Sequence, residues 1–116
     1  MSTATHTISD LAPEISAFCD RAVLALREKL PVCEVWLFGS QATGDAQWDS
    51  DVDLLVVLSD DHGLSRPGLE CFRVVSDLHD RPAVDVAAID MTKWRDERYR
   101  SFGLWHDVVE KGIQLL

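Results

Sequence analysis

From Ile8 to Leu30 the apolar residues Leu11, Ile15, Phe18, Ala22, Ala25 and Leu26 recur at helical spacing. Ser9 or Asp10 offers a cap for this helix. Pro31 stops it, because a proline disfavours helical backbone in the residue before it. The period then changes. Val32 to Phe38 (VCEVWLF) is β-branched and aromatic, which predicts a strand, and Gly39 breaks it. Gln41 to Gly44 fits one helical turn, and Asp45 to Ser50 reads as a polar loop. Val52 to Leu58 (VDLLVVL) is apolar on both faces after its start, the pattern of a strand in the middle of a sheet. A loop rich in Asp, Gly and Pro follows from Ser59 to Pro67. The spacing predicts a helix over 69–78, with Phe72, Val75 and Leu78 inward, then a turn at Arg81–Pro82 and a strand from Ala83 to Ile89 (AVDVAAI). Thr92 is placed to cap a helix through Trp94 and Tyr99, interrupted near Gly103. Trp105 to Glu110 is helical again, and Gly112 to Leu116 reads as a short last strand. The order helix, strand, strand, helix, strand, helices predicts an α/β (α+β) domain, with helices packed on a small mixed sheet.

A length of 116 residues bounds this to one domain, 8–116, behind a loose tail at 1–7. Apolar residues make up 47% and charged residues 27%, an ordinary mix for a soluble globular domain. Twenty acidic against 11 basic residues give a net charge of −9. That argues against nucleic acid as a partner held by general electrostatics, but not against a small anion, because a metal inverts the local sign. Cys19, Cys33 and Cys71 are widely spaced, with no CxxC pair to suggest zinc or a disulfide framework. A reducing cytosol suits them, so a cytoplasmic location is expected. Met1 to Thr7 lacks a basic start and an apolar run, so no signal peptide is expected. The apolar run Leu54 to Leu58 is far too short to span a bilayer, and no membrane partner is expected.

The chemistry concentrates in Leu37 to Val56, LFGSQATGDAQWDSDVDLLV. Gly39–Ser40 ends a strand. A glycine there turns the chain sharply and admits an anion close to the backbone, while the serine hydroxyl and nearby amides donate to phosphate oxygens. A helical turn beginning at Gln41 would add its partial positive end. Asp51-Val52-Asp53 opens the next strand, where residues i and i+2 point to one side. Two carboxylates so close call for a cation, and oxygen ligands with open positions suit Mg²⁺. Asp85 is a lone charge in the apolar run AVDVAAI. If its strand pairs with Val52–Leu58, it joins the other two. Three carboxylates around one or two Mg²⁺ ions, facing a phosphate-binding turn, form a site for nucleotidyl transfer from a nucleoside triphosphate.

This stretch resembles the minimal nucleotidyltransferases of the DNA polymerase beta superfamily, whose hallmark is Gly-Ser, a spacer, then Asp-x-Asp. Gly39, Ser40, Asp51 and Asp53 match it, with Gln41 to Ser50 as the spacer, and the third carboxylate of the family maps to Asp85. The resemblance covers Val32 to Ile89, and VVEKGIQLL also fits the small members. It implies the polymerase beta-like fold. Asp51, Asp53 and Asp85 become the metal-binding, catalytic carboxylates, Gly39 and Ser40 the nucleotide contacts, and Mg²⁺ and ATP or another nucleoside triphosphate the cofactor and co-substrate. It further implies an antitoxin role beside an all-helical HEPN toxin, exercised by transfer of AMP to a hydroxyl of that protein. One departure is Gln41, where many small members carry a basic residue.

Other readings compete. The carboxylates Asp51 and Asp53 taken alone fit a solvated turn, and Asp85 fits a structural pair with Arg81. An EF-hand starting at Asp49 fails, because Leu54 stands where glycine is required. A Walker loop is absent, because no Gly-Lys-Ser/Thr follows Gly39. His6, His62 and His106 are scattered and none reads as catalytic, and His79–Asp80 reads as a helix terminus rather than a metal-binding pair. Asp60–Asp61 reads as a solvated loop, Arg95, Arg98 and Arg100 as an exposed helix face, and Trp36, Trp94 and Trp105 as core. Trp48 stays unassigned. The rival functions are a catalytically weak or inactive binding module that neutralises a partner by contact, and a small-molecule nucleotidyltransferase.

Overall fold

The computed structural model describes residues 8–47 and 50–116. The expected tail at 1–7, with His6, and the spacer residue Trp48 lie outside them. A 3₁₀ turn at Ile8–Asp10 precedes α1 (Pro13–Lys29). The start of α1 differs from the expected cap at Ser9 or Asp10. Pro13 occupies the first turn, where its missing N–H costs nothing, and Ala12 is the cap residue. The chain continues through β1 (Val32–Phe38), α2 (Ser40–Thr43), β2 (Val52–Leu58), α3 (Pro67–Ser76), β3 (Val84–Asp90), α4 (Met91–Arg95), α5 (Glu97–Arg100), α6 (Gly103–Lys111) and β4 (Ile113–Gln114).

The strands form one mixed sheet in the order β3-β2-β1-β4. Strand β1 runs antiparallel to both β2 and β4, while β2 and β3 are parallel. A parallel pair needs a crossover, and α3 supplies it. Every residue of β2 except Asp53 is buried, as its continuous apolar run requires. Even-numbered β2 residues (Val52, Leu54, Val56, Leu58) pack against Phe18, Ala22 and Leu26 of α1 and Cys71 and Val75 of α3. Odd-numbered residues Leu55 and Val57 pack with Trp94 and Val108 on the opposite face. Asp53 has the parity of Leu55, so it stands on the face covered by α4 to α6, beyond the end of that apolar patch. Trp36 and Trp105 border this second core rather than fill it. No helix among the described residues is long and apolar enough to cross a membrane.

Polar contacts fix the second layer. The Glu34 carboxylate accepts from Trp36 Nε1 (2.9 Å) and Trp94 Nε1 (3.2 Å). Thr92 is not the cap of α4. Asp60 serves from outside the helix, accepting from the Thr92 amide (3.0 Å) and hydroxyl. Asp60 is therefore more than a solvated loop residue, and these hydrogen bonds hold its pKa below the ordinary carboxylate value. The arginine face is also partly engaged. Arg98 pairs with Asp96 at 2.7 Å, and Arg100 lies over the Trp94 ring, 5.0 Å from its centroid.

Burial separates the three thiols. Cys19 and Cys71 are buried, and desolvation, helped by Asp20 and Glu70 respectively, pushes both pKa values up to about 11. Cys33 is exposed. A thiol reagent at neutral pH is therefore expected to label Cys33 in the native protein and the other two only after unfolding. Equal labelling rates for all three would contradict this core.

Candidate functional site

Gly39 leaves β1 with φ 74° and ψ −158°, a backbone region nearly closed to other residues. A Cβ placed there would sit 2.3 Å from Asp53 Oδ2 and 3.2 Å from Asp53 Cγ. The Asp53 carboxylate thus fills the space that any side chain at position 39 would need. Strand register produces this approach. Phe38 pairs with Asp53 across the antiparallel ladder, and Asp53 pairs with Asp85 across the parallel one. The glycine turn and two carboxylates therefore meet at one end of three adjacent strands. Asp53 and Asp85 share a hollow of about 270 Å³ with Phe38, Ala87 and Leu104.

Electrostatics agree with the geometry. Burial first, then the charges of Asp85 and Asp51, raise the Asp53 pKa above its ordinary value. Each of the three expected carboxylates thus takes part in one field, but not equally. Asp53 is half-buried, while Asp85 is exposed to the hollow. Asp51 is exposed and lies one residue ahead of β2, so strand alternation does not fix its side. Arg81 is not the partner of Asp85. Its guanidinium donates to the carbonyls of Ser76 (2.9 Å) and Pro82 (3.1 Å).

An all-oxygen, crowded carboxylate pair fits Mg²⁺, which takes one or two carboxylates and completes its shell with water and phosphate oxygens. Among the described residues, no three His, Cys, Asp or Glu side chains gather into a cage able to hold an ion unaided. Asp53 and Asp85 with several positions left open satisfy both statements.

The helical turn starts at Ser40, one residue before Gln41, and is short. Helix α2 has four residues, so little macrodipole accumulates. What remains for an anion is local: the Ser40 hydroxyl, the first amides of the turn and a backbone without a side chain at 39. Gln41 faces elsewhere, donating from Nε2 to the Ser50 carbonyl at 3.3 Å and so tying the turn to the residue before Asp51. A roomier hollow, about 560 Å³, lies on the Gln41 side, between the start of α1 and the Asp80–Pro82 turn. It contains none of the residues converging at Gly39. His62 is structural. Its Nδ1 accepts from the Leu64 amide (2.8 Å), which leaves the ring proton of the neutral form on Nε2, 2.9 Å from Asp90.

Sequence reasoning missed one wall of the site. Leu104, Asp107 and Lys111 of α6 line a second hollow, about 340 Å³, with Phe38, Gly39 and Thr43. Their i, i+3, i+7 spacing was the available signal. Trp105 and Val108 mask it, because they dominate the apolar pattern of that helix.

A glycine-serine turn abutting carboxylates on adjacent parallel strands, in a helix-covered mixed sheet, is the architecture of the polymerase beta-like nucleotidyltransferase fold. A family model described as "Nucleotidyltransferase domain" matches residues 19–110, and the chain belongs to that family. Solved structures agree on the fold. The chain is similar to a Sulfolobus solfataricus protein assigned as a nucleotidyltransferase (24% identity, TM-score 0.53, covering 66% of this chain and 68% of that one). It is similar to a mutant of the toxin–antitoxin MntA–HpeT bearing two Asp-to-Glu changes two positions apart (24%, TM-score 0.55, 84% and 72%). A third similar structure is a toxin–antitoxin with AMP-PNP (25%, TM-score 0.56, 84% and 72%). The curated proteins give no significant match.

Proposed function

We propose that this chain is a Mg²⁺-dependent nucleotidyltransferase that moves AMP from ATP onto a hydroxyl of a protein partner. Its role would be that of the antitoxin of a HEPN-type toxin. The observation that carries the reading is the register of Asp53 with Asp85, set against a Gly39 backbone that has no side chain of its own and lies against the Asp53 carboxylate. The toxin–antitoxin structures support the partner class, and AMP-PNP in one of them supports an adenine nucleotide. The spacing of the replaced aspartates in the MntA–HpeT mutant is also that of Asp51 and Asp53.

In this reading Asp53 and Asp85 hold the metal from the sheet end, with Asp51 beside them. When bound, Mg²⁺ neutralises the crowded carboxylates, stabilises charge on the phosphates and lowers the pKa of an acceptor hydroxyl. Gly39 lets the triphosphate approach the backbone, and Ser40 donates its hydroxyl to a phosphate oxygen. Asp85, the more exposed of the register pair, accepts the acceptor's proton. A bond forms between the acceptor oxygen and the α-phosphorus, the bond to the bridging oxygen breaks, and pyrophosphate leaves.

The test is label transfer to a candidate partner, an all-helical HEPN-type protein that copurifies with the chain on co-expression. ATP labelled at the α-phosphate is expected to mark the partner covalently in Mg²⁺, and γ-labelled ATP is not. Asp51→Asn/Asp53→Asn should abolish the mark. Protection from the toxin that survives this double change, with no α-label on the partner, overturns the proposal in favour of neutralisation by contact.

A further inference from the structure

The site as described is rich in negative charge. Asp53 and Asp85 line one hollow, Asp51 adds its charge to the field at Asp53, and Asp107 lines the next hollow. A nucleotide tail is itself a polyanion, and metal bound at the carboxylates compensates only part of that charge. Among the described residues lining the two hollows, Lys111 is the cation. The hollows adjoin at Phe38 and Leu104, and Lys111 lines the one that also has Gly39 in its wall.

Two further observations make Lys111 more than a surface lysine. First, its place is fixed by backbone packing. A Cβ on the next residue, Gly112, would sit 2.5 Å from the Val108 carbonyl oxygen and 3.1 Å from that of Leu37. Ile113 then pairs with Leu37 in the sheet. The chain around Lys111 is therefore pinned against β1, beside Phe38 and Gly39. Second, its ammonium is available. Among the described residues it makes no ion pair or hydrogen bond, not even with Asp107 one turn earlier. Gln41, the residue nearest the turn in sequence, is engaged with Ser50.

We infer that Lys111 is the positioning cation for the polyphosphate tail of the nucleotide, reaching from the end of α6 to the phosphates held at the Gly39 turn. The inference rests on the nucleotidyltransferase reading. It adds that selectivity for a triphosphate over a monophosphate originates in α6 rather than in the glycine-serine segment. A charge-assisted contact of this kind corresponds to about 10- to 100-fold in affinity.

The experiment is a calorimetric comparison of AMP-PNP and AMP, each with Mg²⁺, on the full chain and on Lys111→Gln, Lys111→Arg and Lys93→Gln. Lys111→Gln is expected to weaken AMP-PNP about 10- to 100-fold and to leave AMP unchanged. Lys111→Arg should restore most of the loss. Lys93→Gln, which removes an equal charge away from both hollows, should bind as the parent does. Unchanged AMP-PNP affinity in Lys111→Gln overturns the inference and leaves the enzyme reading standing. Equal weakening of both nucleotides overturns it too, because that signals a structural effect. A parent chain that binds neither nucleotide sinks the nucleotidyltransferase reading itself.

Discussion

Asp53→Asn is expected to abolish nucleotidyl transfer while leaving the fold as stable as before, or slightly more so. The loss follows from position. Asp53 is the carboxylate that lies against the glycine turn and is the register partner of Asp85. Replacing its charge removes a metal ligand, worth several kcal/mol of transition-state stabilisation, so a fall of at least about 100-fold is expected. The stability half follows from the direction of its pKa. Burial, Asp85 and Asp51 raise the folded value above the ordinary one. The native state therefore holds this proton more tightly than the unfolded chain does. The resulting stability is present at acid pH and lost as pH rises from the ordinary carboxylate value through the folded one. At neutral pH an ionised Asp53 is a burden on the fold, and a neutral amide of the same shape removes it. The gain stays below about 1 kcal/mol, because the group is half open to water, which screens the repulsion. Thermal melting gives a second reading without activity. Added Mg²⁺ should raise the midpoint of the parent by linkage and leave that of Asp53→Asn in place. Full activity in the variant, or an equal Mg²⁺ response, would remove Asp53 from the site.

Much of this was legible in the sequence, for reasons that differ by element. The β2 run has apolar residues on both faces, which only a central strand accommodates, and it does lie between β1 and β3. The proposed meeting of Asp85 with Asp53 required only that β3 pair with β2, and the two residues are register partners. What escaped was long-range. Nothing local says that Asp60 caps α4 across 32 residues, or that the carbonyl of His79 accepts from Arg21 at 2.5 Å across 58. Such contacts depend on how loops return over the sheet, and a single sequence carries no pattern for them. The α6 wall was missed for another reason. Binary patterning marks the buried face of a helix, but the face turned to an open hollow looks like any solvated one. Asp51 shows the limit of the alternation argument. It places i and i+2 together only inside a strand, and β2 begins one residue later.

Gly39→Ala is the second change with a large expected effect, and its cost divides into two separable parts. One is conformational. At φ 74° and ψ −158° an alanine is strained by about 1–3 kcal/mol whatever surrounds it. The other is steric. The new methyl would lie 2.3 Å from Asp53 Oδ2 but 3.5 Å from Asp53 Cβ. The clash is with the carboxylate rather than with its stem, so the carboxylate must swing away from the turn. Activity is therefore expected to fall as far as in Asp53→Asn, together with a loss of stability that Asp53→Asn does not show. A double-mutant cycle separates the parts. In an Asp53→Ala background the clashing atoms are gone and only ordinary contact with Cβ remains, so Gly39→Ala should cost only the backbone strain. The coupling measured by chemical denaturation should be about 0.5–3 kcal/mol, with the double variant more stable than the sum of the single changes implies. A coupling of zero would mean that Gly39 and Asp53 do not touch, and the convergence of turn and carboxylates would lose its physical basis.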